Sequence, residues 1–224
     1  MVSKKKMSPR VSDSVKDQLR LFAFEAGAAL PSEALRRLQK GLSKRERLAI
    51  LLEGELNFHG ANTHYASHNM HSFAAKFPPQ LPRAFIRGLT SQGDVVLDPM
   101  MGSGTTIVEA MLEGRNAIGL DIDPLALRLA DVKTTPVEAE DVWGSGNRVI
   151  TRAWKHIANG NTVSQNLAER FDEKTREFVD YWFLPNTQRE LMALILAIEE
   201  LPDSATRRFL ELTFSSIAVS CASS

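Results

Sequence analysis

Val95-Val96-Leu97-Asp98-Pro99-Met100-Met101-Gly102-Ser103-Gly104-Thr105-Thr106 runs from three consecutive apolar residues, through a loop with two glycines, to a pair of threonines. An apolar run of this length suits a strand buried on both faces, as in a parallel sheet. Gly102 and Gly104 let the backbone pass close to a ligand, and the helix that follows offers unpaired N–H groups at its start. Thr105 to Glu113 reads as that helix, with Gly114 as its C-terminal cap. A second apolar strand, Ala117 to Leu120, ends at Asp121, and Asp123-Pro124 then opens a helix to about Lys133. Strand, loop, helix, strand and helix within 40 residues predict a βαβ unit and a parallel sheet.

Upstream, residues 54–80 show neither helical nor strand periodicity and carry His59, His64, His68 and His71 with Pro78-Pro79. They read as an extended, ordered loop, followed by a short helix from about Leu81 to Leu89. Ser43-Lys44-Arg45-Glu46 is a capping box that opens a helix through Leu52. Two further helices are expected over 12–30 and 32–41, behind a basic arm of ten residues containing Lys4, Lys5 and Lys6. Beyond Pro136 no strand is evident. Residues 141–160, 165–183, 187–201 and 204–219 read as amphipathic helices, and Trp143, Trp154 and Trp182 fall among apolar residues, where core packing is expected. The expected division is 1–53, a basic arm and helical region; 54–136, an α/β part; and 137–224, a helical insert.

The 224 residues are 43% hydrophobic and 24% charged, which excludes a disordered or collagen-like chain. Cys221 is the single cysteine, so a disulfide scaffold is excluded and a reducing, cytoplasmic setting is expected. No apolar run reaches the roughly 18–20 residues of a membrane span. The net charge is zero, yet residues 1–100 hold 15 basic and 9 acidic side chains and the remainder holds 12 and 18. That polarity suits an anionic partner near the N-terminal half. The histidine spacings of five, four and three match no standard zinc motif, and no cysteine is near them. No metal site is expected.

Three chemistries compete for the glycine loop. A phosphate-cradling loop would carry Lys after its last glycine, where Thr105 stands. A dinucleotide site would want a third glycine at position 107, which is Ile107. The third is a nucleoside whose charged part is an amino acid, as in S-adenosylmethionine. Asp121 at the end of the second strand is placed to accept hydrogen bonds from ribose hydroxyls.

His71-Ser72-Phe73-Ala74-Ala75-Lys76-Phe77-Pro78-Pro79-Gln80-Leu81, then VVLDPMMGSGTT, then AIGLDIDP, resembles the amino-methyltransferases that modify DNA at cytosine N4 or adenine N6. Met100 stands where that family usually has Phe. The resemblance covers residues 71 to about 130. It implies a Rossmann-like class I methyltransferase fold of the α/β class, with S-adenosyl-L-methionine as cofactor. It further implies that Asp98, Gly102 and Gly104 line the methionine part of the cofactor and that Thr105 and Thr106 start the helix beneath it. Asp121 would bind the ribose, Lys76, Phe77 and Pro78 would pack over the cofactor from the side, and Pro99, Met100, Ser103 and Ile122 would complete the cofactor-binding set. The implied partner is double-stranded DNA with its target base flipped out of the stack, in a prokaryotic restriction–modification setting.

The family's catalytic signature, an Asp, Asn or Ser followed by Pro-Pro and an aromatic residue, does not occur in the chain; Pro78-Pro79 is preceded by Phe77 and followed by Gln80. With only two strands and no such signature, the chain is expected to be the N-terminal part of a longer enzyme, completed by a missing C-terminal part or a separate subunit, and inactive alone. Two other readings are a part of a methyltransferase acting on guanine N2 of transfer RNA, and a non-catalytic methyltransferase-like scaffold.

Overall fold

The computed structural model describes residues 41–54 and 56–222. The arm and the helices expected over 12–30 and 32–41 lie outside the described residues. Chain contacts divide the molecule into two units. The first takes in the described residues up to Asn69 together with Ala75–Asp123, and the second Met70–Ala74 with Pro124 onward.

In the first unit, α1 (Lys44–Glu53) begins on the expected capping box: Ser43 Oγ accepts from the Glu46 N–H, and the Ser43 N–H donates to Glu46 Oε2 at 2.8 Å. Residues 56–79 form neither helix nor strand. α2 (Gln80–Leu89) follows, packed against both α1 and α3 (Thr105–Leu112). Strand β1 (Val95–Asp98) pairs in parallel with β2 (Asn116–Gly119), with Leu97 opposite Ile118 and Asp98 opposite Gly119. The second strand was expected one residue later, over 117–120. Pairing does reach that far, because the Leu120 N–H donates to the Asp98 carbonyl at 2.9 Å.

The burial of these strands corrects the sequence reading. Val95, Leu97, Ile118 and Leu120 are all more than half exposed, while Val96 and Ala117 are half-buried. Successive side chains alternate between the two faces, and α3 packs on the face to which Ala117 and Gly119 point. Only one face is therefore covered by described elements. Gly119 marks the closest approach: a Cβ there would lie 2.2 Å from Met101 Sδ and 3.0 Å from Ile107 Cδ1.

In the second unit, α4 (Pro124–Thr134) and α9 (Ala205–Cys221) pack together through Leu129, Val132 and Leu212, joined by Met70 and Phe73. A separate core joins α5 (Ala139–Asn159), α6 (Asn161–Glu169) and α8 (Pro185–Glu199) through Val149, Ala153, Val163, Met192, Ala193 and Ala197. The segment expected as one helix over 165–183 is broken. α7 (Glu173–Trp182) starts afresh on Asp172, whose Oδ1 accepts from the Thr175 N–H at 2.7 Å. The preceding helix has already stopped at Glu169, and this carboxylate cap starts the next.

The tryptophans also depart from expectation. Trp143 is 74% exposed and Trp154 66%. The buried face of α5 is Ser145, Val149 and Ala153, at the four-residue spacing of one helical stripe, and both tryptophans lie off it. Trp182 is 37% exposed on α7, a helix with no buried residue, where it meets Tyr181 edge-to-face at 5.1 Å between ring centroids. No helix among the described residues is long and apolar enough to cross a membrane.

Two glycines give opposite expectations. Gly119→Ala forces Met101 and Ile107 aside and should destabilise the fold by about 1–3 kcal/mol. Gly146 lies within α5 with nothing within 4 Å of its would-be Cβ, so Gly146→Ala should stabilise by up to about 1 kcal/mol. Denaturant unfolding of both variants checks this; a neutral Gly119→Ala would contradict the close approach.

Candidate ligand-binding site

The loop after β1 is built by two glycines and one carboxylate. Gly102 and Gly104 take φ of +51° and +79°, the left-handed region that side chains with a Cβ rarely adopt. Gly104 is the N-cap of α3 and donates to the Met101 carbonyl at 2.9 Å. Asp98 Oδ1 accepts from the Met100 N–H at 3.1 Å. Asp121 reaches back from beyond β2: its Oδ2 accepts from the Gly102 N–H at 2.8 Å and its Oδ1 from the Asp123 N–H at 2.9 Å. The Met101 N–H donates to the Leu120 carbonyl at 3.0 Å, a second tie between the loop and the end of β2. The N–H groups of Asp123 and Gly102 hold the Asp121 carboxyl below the usual carboxylate range. A carboxylate offers about four acceptor positions, so Asp121 keeps capacity for a ligand hydroxyl.

Beneath the loop lies a buried polar network that the sequence reading missed. Glu109, on α3, is fully buried. Its Oε1 accepts from the Tyr65 hydroxyl at 2.7 Å and lies 2.8 Å from His68 Nε2. Its Oε2 is 3.7 Å from Arg83 Nε, an ion-pair distance too long for a hydrogen bond. Arg83 Nε donates instead to Glu113 Oε1 at 2.7 Å, and Arg87 Nε donates to Glu113 Oε2 at 2.6 Å. Burial pushes the Glu113 carboxyl up, but the hydrogen bonds and charges of Arg87 and Arg83 outweigh it and leave the group below its ordinary value. Burial, then the negative Glu109, pushes the Tyr65 hydroxyl well above its ordinary value. Ala66, between Tyr65 and His68, holds a φ of +48°, a strained position for a residue with a Cβ. The bonds of its neighbours to Glu109 hold it there. The signal that could have revealed this network is a carboxylate in the middle of the otherwise apolar helix Thr105–Leu112.

His68 is the one member of this network that lines a cavity of about 270 Å³, with Thr63, His64, Asn69, Lys76, Phe77, Pro78, Pro79 and Thr105. Of the residues singled out in the sequence, the structure thus gathers Lys76, Phe77, Pro78 and Thr105 around one cavity, and Asp98, Met100, Gly102 and Asp121 in one hydrogen-bonded turn. Ser103 is buried and Thr106 half-buried. Pro99, Met100 and Ile122 are exposed, Met100 by 84% and Ile122 completely. His59 and His64 are exposed, their backbone N–H groups turned by Asn57 and Asn62, whereas His68 and His71 are buried. His71 Nε2 lies 3.1 Å from Ser215 Oγ within the second unit. No group of three or more potential metal ligands occurs among the described residues.

A parallel β-pair with a glycine turn at its carboxyl end, closed by an acidic residue just beyond the neighbouring strand, defines the unit as one of the α/β class. Residues 39–132 match the model of the DNA methylase family. It is 31% identical to the Type II methyltransferase M.MvaI of Kocuria varians over 171 residues, covering 71% of this chain and 35% of that protein. It is 46% identical to the Type II methyltransferase M.MjaII of Methanocaldococcus jannaschii over 66 residues, 30% of this chain and 12% of that protein. The Type II methyltransferase M.MthZI of Methanothermobacter thermautotrophicus is 31% identical over 129 residues, covering 55% and 35% respectively. The chain thus spans about a third or less of the length of these relatives. No solved structure matches it.

The depressed carboxyls make an acid-side prediction. Glu113 and Asp121 have ordinary values of 4.5 and 3.8 and lie lower in the folded chain. The unfolded chain therefore takes up protons first as pH falls, and their contribution, complete above the ordinary values, is lost as pH drops through the lower folded ones. The melting temperature should hold from neutral pH to about 5 and then fall, with Glu113→Gln giving a shallower fall. Parallel profiles for the two proteins would contradict the role given to Glu113.

Proposed function

We propose that this chain supplies the cofactor-binding part of an S-adenosylmethionine-dependent DNA amino-methyltransferase with a Rossmann-like class I fold. The target is the exocyclic N4 of cytosine or N6 of adenine in double-stranded DNA, its base flipped from the stack to reach the cofactor. The observation that carries this reading is the turn itself. Two left-handed glycines bring the backbone to the carboxyl ends of a parallel pair, beside a carboxylate with acceptor capacity to spare.

The residues suit that cofactor. Asp121 accepts the ribose hydroxyls while holding Gly102 in place. Asp98 fixes the first bend of the loop through the Met100 N–H, so that Gly102 and Gly104 present backbone rather than side chains to the ligand. Phe77 and Pro78 give an apolar wall, and Lys76 a cation, to the cavity that Thr105 also lines. When bound, S-adenosylmethionine would supply an electrophilic methyl group on its sulfonium. The chain's own contribution is to hold and orient the donor. Names of the relatives as Type II methyltransferases support the DNA substrate.

Calorimetric titration tests the assignment. The chain should bind S-adenosylmethionine saturably. Asp121→Asn, which removes the charge from the acceptor, should weaken binding about tenfold, near 1.4 kcal/mol. Absence of binding, or equal affinity in the variant, would overturn the reading.

A further inference from the structure

Helix α5 carries a second apolar stripe, separate from the Ser145, Val149 and Ala153 stripe that faces the core. Trp143, Ile150 and Trp154 are spaced by seven and four residues, which sets them on one side of the helix. All three are more than half exposed. Ile157, half-buried, continues the stripe seven residues beyond Ile150. Rotating α5 to bury the tryptophans would withdraw Val149 and Ala153 from Val163, Met192 and Ala193. The helix is therefore committed on one side and open on the other, and an exposed apolar stripe of this size marks an interaction surface.

Two features of α5 say what covers it. Gly146 lies between Trp143 and Ile150 on the same side, and nothing comes within 4 Å of a Cβ built there. The stripe thus has a hole beside its own knobs. Charge is the second feature. Glu140 and Asp141 place the acidic charge of α5 in its first turn, whereas Arg148, Arg152 and Lys155 place the basic charge in later turns. Arg152 is ion-paired with Glu200 at 3.2 Å, and Arg148 and Lys155 are exposed. A helix charged in this way repels a parallel copy of itself and attracts an antiparallel one, in which the helix dipoles also oppose.

We infer that the Trp143–Ile150–Trp154 side of α5 docks a second copy of this chain, the two helices running antiparallel. Pairing about Ile150 lays Trp154 of each copy over Gly146 of the other and sets Trp143 beside Ile157. The surface is the same on both copies, so the contact closes on itself and association stops at two. Withdrawing the exposed parts of four tryptophans from water covers roughly 600 Å², about half of the ~1,200 Å² at which specific interfaces begin. Ile150, Ile157 and the charged flanks fill out the remainder. The pairing does not depend on cofactor binding.

Sedimentation velocity across the micromolar range tests the pairing. The chain should pass from monomer to dimer as its concentration rises. Trp154→Ser and Ile150→Ser, each at an exposed position, should raise the dissociation constant at least tenfold while the helical circular dichroism holds. Arg148→Glu with Lys155→Glu makes both ends of α5 acidic and should weaken the dimer to a similar degree. Adding Glu140→Lys and Asp141→Lys to that pair restores opposite ends and should bring the dimer back. A monomer at every concentration, an assembly larger than two, or a dimer indifferent to Trp154 and Ile150 would overturn the inference. Failure of the reversed charges to restore association would overturn it as well.

Discussion

The parallel pairing of Leu97 with Ile118 and Asp98 with Gly119 sets the geometry on which the site depends. Because both strands end at the same level, the chain leaving β1 must turn directly beside the chain leaving β2. The turn is too tight for ordinary residues, and Gly102 and Gly104 take it in left-handed conformations. Asp121 then locks it, with one carboxylate oxygen on the Gly102 N–H and the other on the Asp123 N–H. The same pairing demands Gly119 opposite Asp98, since Met101 and Ile107 occupy the space a side chain would need.

A second constraint comes from α3. Its Glu109 cannot lie buried as a lone charge, and the partners it finds, Tyr65 and His68, come from more than 40 residues upstream. One helix therefore fixes two things: its N-terminus receives the glycine turn, and its middle anchors the irregular loop that carries Lys76, Phe77 and Pro78. The loop holds its place without secondary structure of its own because Tyr65 and His68 are both tied to Glu109 on the helix. Arg83 and Glu113 continue the network between α2 and α3.

What was legible in the sequence was what short-range chemistry decides. The capping box at Ser43, the two strands, the glycine turn and the helix after Pro124 all rest on residues within a few positions of one another, and each stands close to where it was read. The exposed alternation of Val95, Leu97 and Ile118 was not legible, since three apolar residues in a row carry no period. Trp143 and Trp154 were misplaced because apolar character was weighed without the phase of the helix; Ser145, Val149 and Ala153, small residues four apart, mark the buried stripe instead. The break at Asp172 was visible in principle as an acidic cap three residues before Thr175. The Tyr65–His68–Glu109 network depends on long-range contact, and only the misplaced charge in an apolar helix hinted at it.

The proposed site stands on the glycine turn and Asp121 receiving the nucleoside of the cofactor. A crystal structure of the chain with S-adenosylhomocysteine tests it most directly. The ribose hydroxyls should lie about 3 Å from the Asp121 carboxylate. A ligand bound away from Asp121 would contradict that placement.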